Sequence, residues 1–276
     1  MKKILVVALG GTIGSIWGNK ITPDKNPLKV LDYYKGNAEF ECISPFVCLS
    51  ENMTRELWRR LIDCLNGIDC KKYEGIIILH GSDTLAYTSA IIANAFWDKN
   101  IVLVAADKPI ECSDSNGIKN FEAAVKHLLS HKDGVYVSYN GIKKGDCITS
   151  ADVNDEFKCI KSTIPPAKKK KISDKNVLII KPFVGINLKS INTDLLDGVI
   201  FEMYHSATVP KEIIEFSSKL NCPYIFVTHK KSADYESAIG IKNIVFECTV
   251  ENAYAHMILE SVSYTHLRAH ETPEHL

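Results

Sequence analysis

The chain has 276 residues, which at roughly 150 residues per domain predicts one large or two modest domains. Its 33 lysines and arginines balance its 33 aspartates and glutamates, so no net charge favours a nucleic-acid partner or an acidic membrane. Hydrophobic residues at 46% and charged residues at 24% exclude a disordered, collagen-like or multi-span membrane protein.

The chain begins with MKKILVVALGGT, whose apolar run is too short for a signal peptide. Ile4–Leu9 leads into a glycine turn instead of a cleavage site, and it is far below the roughly 20 residues that a bilayer helix needs. We therefore expect a buried first strand and a cytoplasmic protein. The nine cysteines agree with a reducing compartment, because they are odd in number, scattered and never spaced as CxxC. They indicate free thiols and no zinc site.

Short apolar, β-branched runs alternate with amphipathic segments of helical length, which is typical of parallel strands with helices on both faces. The predicted strands are Lys3–Leu9, Gly75–His80, Ile101–Ala105, Gly134–Ser138, Val177–Pro182, Gly198–Glu202 and Tyr224–Thr228. The predicted helices are Thr54–Leu65, Leu85–Trp97, Gly117–Leu129, Lys211–Lys219 and Val250–Ser261. The fold class that follows is α/β, with a larger N-terminal parallel-sheet domain and a smaller α/β C-terminal domain.

The sequence changes character at residues 162–176, STIPPAKKKKISDKN. Pro165 and Pro166 cannot lie inside a helix or a central strand, and the four consecutive lysines repel one another, so we expect a solvated linker. An exposed loop without a partner is favoured over a nucleic-acid patch, because nothing else nearby is basic or aromatic. The linker divides a domain at 1–161 from a second domain at 177–261.

The last residues, 262–276, do not continue this pattern. Their sequence ends in SYTHLRAHETPEHL, which has no apolar period and resembles translated adapter or vector sequence. We assign 262–276 to a non-native tail, exclude its histidines as ligands and expect the native C-terminus to be missing.

A glycine-rich turn, LGGTIGS at 9–15, follows the first predicted strand directly. Gly10 and Gly11 allow a sharp turn that brings amide N–H groups and the Thr12 hydroxyl to the carboxyl edge of a parallel sheet, where such sheets bind ligands. A plain tight turn and a nucleotide-binding loop are the alternatives. GGTIG matches neither GxGxxG nor GxxxxGK[ST], which disfavours the nucleotide.

Two further polar clusters follow extended segments. HGSDT at 80–84 comes at the end of a very apolar strand, and LSENM at 49–53 follows the extended segment Phe40–Leu49. Each cluster could serve only as a helix cap, a role that suits Asp83 or Thr84. Three polar clusters at three strand ends nevertheless point to one crevice.

Together these motifs resemble the bacterial-type L-asparaginases, which are threonine-dependent amidohydrolases. The pairing of GGTI at 10–13 with HGSDT at 80–84 is specific, whereas neither motif is specific alone. IVLVAADKP at 101–109, the Asn-Gly pair at 116–117 and the stretch 198–206 are similar to later segments of that family. The resemblance therefore covers about residues 3–261.

The resemblance implies hydrolysis of a side-chain amide, from asparagine to aspartate and ammonia, without a cofactor. Thr12 corresponds to the family's nucleophile, and Ser82 corresponds to its second hydroxyl residue, here a serine in place of threonine. Asp83 is implied to bind the substrate α-amino group and to take part in the proton relay. Ser50 and Glu51 are implied to hold the substrate α-carboxylate and α-amine.

The chemistry of such a reaction reveals one departure from the family pattern. A threonine hydroxyl is a poor nucleophile at pH 7 and needs a base or a positive neighbour, while backbone N–H groups of the turns at Gly11 and Gly81 would stabilise an oxyanion. The family's relay ends in a lysine, but aligning residues 145–149 with its Gly-x-x-x-Thr stretch places Ser150 at that position. Serine carries no charge. Three lysines lie nearby in sequence, and strand alternation does not tell which points inward: Lys143, Lys144 and Lys158.

Three hypotheses remain open at this point. The first is an asparaginase-like amidohydrolase that is impaired because Ser150 replaces the relay lysine. The second is a catalytically inactive amino-acid-binding homologue, and the third is an amidase for another amide, such as glutamine or a tRNA-linked amino acid. A tRNA-linked substrate would need an RNA-binding region, which the neutral charge balance does not offer. The resemblance further implies a homodimer or homotetramer with a small-molecule substrate, and neither a nucleic acid nor a membrane as partner.

Overall fold

The computed structural model describes residues 3–130 and 133–259. Its strands, in chain order, are β1 (Lys3–Ala8), β2 (Ser15–Trp17), β3 (Ile21–Pro23), β4 (Glu39–Ile43), β5 (Gly75–Leu79), β6 (Asn100–Val104), β7 (Gly134–Ser138), β8 (Ile142–Lys144), β9 (Val177–Ile180), β10 (Gly198–Glu202), β11 (Tyr224–Val227) and β12 (Ile244–Val245). Its α-helices are α1 (Val30–Tyr33), α2 (Arg55–Asn66), α3 (Leu85–Ala95), α4 (Gly117–Leu128), α5 (Lys211–Ser217) and α6 (Val250–Ile258).

These strands form two sheets and a hairpin. The larger sheet has the order β4-β1-β5-β6-β7-β8, and all of its neighbouring strands are parallel except β7 and β8. The smaller sheet has the order β12-β11-β10-β9 and is parallel throughout. Strands β2 and β3 form a separate antiparallel hairpin. The α/β fold with a larger, mainly parallel N-terminal sheet is confirmed.

The larger sheet is buried on both faces. Leu5 and Val7 of β1 pack against α2 and α3, whereas Ile4 and Val6 pack on the opposite face, where α1 and α4 lie, because successive side chains of a strand point to opposite faces. Every residue of β5, with the sequence GIIIL, is buried. Burial on both faces is the reason that these strands appear in the sequence as continuous apolar runs.

All seven predicted strands and all five predicted helices are present, with differences at their ends. β1 ends at Ala8, before the predicted Leu9, and α3 ends at Ala95, before the predicted Trp97. Sequence analysis did not predict the hairpin, α1, β8 or β12, all of four residues or fewer, and it treated β4 only as part of an extended segment. The predicted end of the last helix at Ser261 and the predicted tail at 262–276 lie outside the described residues.

Helix α6 joins the two sheets. Ala253 and Met257 pack on β10 and β11 of the smaller sheet, and Ala255 and Ile258 belong to the core that α2 and α3 form on the larger sheet. Thr249 caps the helix, since its Oγ1 accepts a hydrogen bond from the backbone N–H of Asn252 at 3.1 Å. The last described helix of the chain thus packs beside the first half.

The segment 162–176 forms no helix, as expected, but it is docked on the larger sheet's helices. The backbone N–H groups of Ala167 and Lys168 donate to the side chain and carbonyl oxygens of Asn94, at 2.8 and 3.0 Å. Ile172 is buried and bridges to Leu259. Our expectation of a fully solvated linker was wrong for this part, because Asn94 on α3 satisfies its backbone.

The four consecutive lysines of this segment are exposed, yet aromatic rings do lie beside them. Lys168 Nζ lies 4.4 Å from the ring centre of Trp97, and Lys170 Nζ lies 4.5 Å from that of Phe96. The expectation that nothing aromatic is nearby was therefore wrong, because the end of α3 is remote in sequence. The domain limits 1–161 and 177–261 stay a proposal.

Candidate active site

The turn after β1 is built from glycines that no other residue can replace without strain. Gly11 has φ 82° and ψ −178°, a backbone conformation that is essentially restricted to glycine. A Cβ atom on Gly11 would lie 2.3 Å from the backbone nitrogen of Gly81. The two glycine turns at the ends of β1 and β5 are therefore in direct backbone contact.

Thr12 begins a short 3₁₀ turn immediately after this contact. The turn is closed by the Gly14 N–H and the Ser15 hydroxyl, which both donate to the Gly11 carbonyl oxygen, at 3.0 and 2.9 Å. Thr12 is half-buried while Ile13 and Ser15 are buried. The Thr12 side chain is thus the first side chain beyond the glycines at this edge.

Ser50 brings the second polar cluster to the same place. It is buried, and its Oγ donates to Asp83 Oδ2 at 3.3 Å. Its carbonyl oxygen accepts a hydrogen bond from Thr84 Oγ1 at 2.8 Å. A Cβ atom on Gly81 would lie 2.4 Å from Ser50 Oγ, so Gly81 has to be a glycine here too.

Three strand ends therefore converge in what we call the strand-end cluster, made of Gly11, Ser50 and Gly81. Thr12 and Ser82 each follow one of its two glycines directly, and both are half-buried. Asp83 and Glu51 are exposed at the same edge. This arrangement places hydroxyl groups, a carboxylate and backbone N–H groups where the carboxyl ends of parallel strands meet.

His80 directly precedes Gly81 and is a neutral side chain bonded to this turn. It is buried, and burial lowers the pKa of its imidazole to about 4. Its Nδ1 lies 2.7 Å from the carbonyl oxygen of Gly81, so this nitrogen donates to the turn. The histidine of HGSDT is thus uncharged near neutral pH.

Position 150, where the relay lysine was expected by resemblance, has a partner that the sequence did not indicate. The backbone N–H and the hydroxyl of Ser150 both donate to Glu251 Oε1, at 2.6 and 2.7 Å. Glu251 lies in the first turn of α6 and is only 6% exposed. The only local signal for it was an acidic residue two positions after a threonine cap, which is ordinary at a helix start.

None of the three candidate lysines is paired with Asp83 in the described part of the chain. Across 3–130 and 133–259, Asp83 forms no ion pair with a lysine, arginine or histidine. Lys143 donates to the Tyr139 carbonyl oxygen at 2.8 Å, and Lys158 Nζ lies 3.6 Å from Asp152. Lys144 is exposed on β8 at the sheet edge.

Other kinds of site are not apparent in the part of the chain that the structure describes. No group of three or more histidine, cysteine, aspartate or glutamate side chains there is placed to hold a metal ion. The nine cysteines are free. None of the described helices is long and apolar enough to cross a bilayer.

Comparison with known sequences gives matches that extend past the first half of the chain. The family model described as "Asparaginase, N-terminal" matches residues 3–158. A glutamyl-tRNA(Gln) amidotransferase subunit from Methanococcus maripaludis strain C5 is 27% identical over 191 residues, which is 67% of this chain and 45% of that protein. The corresponding protein from Sulfolobus acidocaldarius is 28% identical over 131 residues, 45% of this chain and 29% of that protein. The chain thus spans less than half the length of these two relatives.

Solved structures resemble the whole described fold. L-asparaginase I of Vibrio cholerae has a TM-score of 0.72 at 19% identity, with 97% of this chain and 96% of that chain covered. The thermostable L-asparaginase of Thermococcus kodakarensis has a TM-score of 0.66 at 20% identity, with 92% and 86% covered. A probable cytoplasmic L-asparaginase of Campylobacter jejuni has a TM-score of 0.68 at 17% identity, with 94% of each chain covered.

Proposed function

The chain belongs to the asparaginase family, and we propose that it is an amidohydrolase that converts L-asparagine to L-aspartate and ammonia. The observation that carries this proposal is the backbone contact between Gly11 and Gly81. This contact supports a site in which Thr12 and Ser82 approach one small amide beside Asp83. Neither hydroxyl lies in the packed interior.

In the proposed reaction, Thr12 Oγ attacks the amide carbon of the substrate and its proton passes toward the leaving nitrogen. The backbone N–H groups of the glycine turns stabilise the oxyanion, an effect of about 10²–10³-fold for one donor. The C–N bond then breaks, ammonia leaves, and water hydrolyses the acyl-threonine ester to release aspartate. Ser82 and Asp83 relay the proton.

Substrate binding is proposed for the side chains around this centre. Ser50 Oγ already donates to Asp83 and lies against Gly81, which supports a role in holding the α-carboxylate end. The exposed carboxylates of Glu51 and Asp83 suit an α-ammonium group. We also propose a cytoplasmic homodimer or homotetramer, in line with the free thiols and the name of the Campylobacter relative.

Two alternatives have observations in their favour. A catalytically inactive amino-acid-binding homologue is favoured by Ser150, which is bonded to Glu251 and brings no charge to Asp83. An amidase for another amide, such as glutamine, is favoured by the names of the sequence relatives, which are amidotransferase subunits. Both alternatives use the same crevice, so ligand and product measurements distinguish them.

The decisive experiment measures ammonia release by the purified protein with asparagine and with glutamine. We expect release with asparagine, and Thr12→Ala should reduce kcat at least about a thousandfold because the nucleophile is lost. Thr163→Ala, at an exposed threonine of the linker, is the matched control and should leave the rate unchanged.

Other outcomes would reject the asparaginase proposal. Release only with glutamine would identify the other amidase. Calorimetric binding of aspartate without ammonia from either amide would identify the inactive homologue, and ammonia release by Ser150→Lys alone would trace its inactivity to the missing charge.

A further inference from the structure

The contact between Ser150 and Glu251 joins parts of the chain that are 101 residues apart. One carboxylate oxygen accepts two hydrogen bonds, from a backbone N–H and a hydroxyl, at 2.6 and 2.7 Å. A carboxylate that is 6% exposed is costly to bury unless it is hydrogen-bonded. Bonds to a charged acceptor are the stronger class of protein hydrogen bond, so this contact should hold the backbone at position 150 firmly.

The segment that leads to Ser150 lies along α3, the helix that follows Asp83. Ser89 Oγ on α3 donates to the Gly145 carbonyl oxygen at 2.8 Å, and this bond is buried. Tyr87, in the first turn of α3, packs edge-to-face against Tyr254 of α6, with ring centres 5.8 Å apart. The stretch 145–150 is therefore held by α3 at its start and by α6 at its end.

The charge of Glu251 also acts on the beginning of α3. Burial raises the pKa of Tyr87 to about 12, and the negative charge of Glu251 is the next contribution. Tyr87 lies in the first turn of α3, which begins at Leu85, two residues after Asp83. Glu251 is thus close to the first turn of the helix that begins two residues after the exposed Asp83.

We propose that Glu251 is a positioning residue of the site, which fixes the backbone of residue 150 and so holds the stretch 145–150 against α3, the helix that follows Asp83. The inference rests on the proposed amidohydrolase function. It assigns a functional role to a side chain of α6, a helix that the glycine motifs at 10–13 and 80–84 did not indicate as part of the site. The essential contact is with the backbone N–H, so it does not depend on the side chain at position 150.

The test compares Glu251→Gln with Ser150→Ala and with the control Glu236→Gln, an exposed acid of the same half of the chain. Glutamine keeps the size of glutamate but replaces the charged acceptor with a neutral one. Ser150→Ala removes the hydroxyl donor and leaves the backbone contact intact. Amide hydrogen exchange over 145–151 and the kinetics of ammonia release are measured on the three variants and the unmodified protein.

We expect Glu251→Gln to raise the exchange rate over 145–151 and to lower kcat, each about tenfold, with KM within about twofold. Ser150→Ala should change both quantities less, and Glu236→Gln should change neither. Unchanged exchange in Glu251→Gln would overturn the proposal. Faster exchange with unchanged kcat would also overturn it, because Glu251 would then be only structural.

The result stays interpretable if the proposed hydrolysis fails. When the unmodified protein releases no ammonia, the binding of aspartate replaces kcat as the functional readout. A loss of affinity of about tenfold in Glu251→Gln, with faster exchange, supports the positioning role. Unchanged aspartate affinity, or no aspartate binding by the unmodified protein, overturns it.

Discussion

The glycine turn at Gly11 and the segment at Ser150 differ in what holds them in place. The strand-end cluster depends on backbone-to-backbone contact between neighbouring strands of one sheet, with Gly11 against Gly81. The backbone at Ser150 is held by one carboxylate, Glu251, in the first turn of α6. A backbone contact tolerates almost no added atoms, whereas a side-chain contact can be changed one hydrogen bond at a time. We therefore expect the turn at Gly11 to tolerate substitution less well than position 150 does.

The largest expected effect comes from adding one methyl group to the strand-end cluster. Gly11→Ala combines a positive φ with a Cβ 2.3 Å from Gly81 N, so we expect a loss of about 2–5 kcal/mol in the free energy of unfolding. Gly185→Ala is the matched control, because Gly185 has φ 81° and open space around its Cβ position. It should lose only about 1–2 kcal/mol from backbone strain. Equal losses in denaturant unfolding would mean that the glycine contact is loose.

The next effect compares two histidines whose pKa is lowered by burial, the fully buried His80 before Gly81 and the half-buried His256 on α6. Burial lowers the pKa of His80 and of His256, on α6, to about 4. Between pH 6.5 and about 4 the unfolded chain binds protons that the folded protein does not, so stability falls as the pH falls through this window and is fully present above it. Each histidine should contribute about 3 kcal/mol to this loss.

This pH dependence is measured by denaturant unfolding at pH 7, 5.5 and 4. His80→Asn should reduce the fall in the free energy of unfolding between pH 7 and pH 4, because His80 no longer contributes to it. His256→Gln should reduce the same fall by removing the contribution of His256. If the free energy of unfolding of a variant falls with pH as steeply as that of the unmodified protein, the replaced histidine does not have a lowered pKa in the folded state. The prediction would then be wrong for that histidine.

The smallest effect concerns α2 and α3, the helices that follow the polar clusters at 49–53 and 80–84. Trp58 Nε1 on α2 donates to Thr88 Oγ1 on α3 at 2.9 Å, in a buried bond. Trp58→Phe keeps most of the ring but leaves the Thr88 hydroxyl without this donor, which should cost about 1–2 kcal/mol of stability. Trp97→Phe, at an indole that is 45% exposed, is the control and should cost less than about 0.5 kcal/mol. An equal loss of unfolding free energy in both variants would mean that the smaller ring, and not the lost hydrogen bond, causes the destabilisation.

Much of the larger sheet was predictable because its signals are local. The run GIIIL of β5 is buried at every position, so a continuous apolar run was enough to predict this strand without knowing which strands lie beside it. Thr54 caps α2 through its Oγ1, which accepts a hydrogen bond from the Leu57 N–H at 3.3 Å, another local interaction. By contrast, β8 has the sequence IKK and pairs only with β7 at the edge, where three residues provide no usable period.

The meeting of GGT with HGSDT was also inferable, since both motifs follow parallel strands and such strand ends share one edge of a sheet. The docking of 162–176 was not, because the partner that satisfies its backbone is Asn94, near the end of α3. A composition rich in proline and lysine predicts an irregular exposed segment. It contains no information about which distant side chain accepts its N–H groups.

The amino-acid sequence by itself determined the order of strands and helices, the glycine turns and the polar residues that follow them. These properties depend on the size, shape and polarity of residues that are adjacent in the chain. Only the tertiary structure decided that Gly11 contacts Gly81. It also decided that Asp83 accepts a hydrogen bond from Ser50, and that Ser150 donates its hydrogen bonds to Glu251. Each of these contacts joins residues that are distant in sequence, and their distances follow from how sheets and helices pack rather than from any local preference.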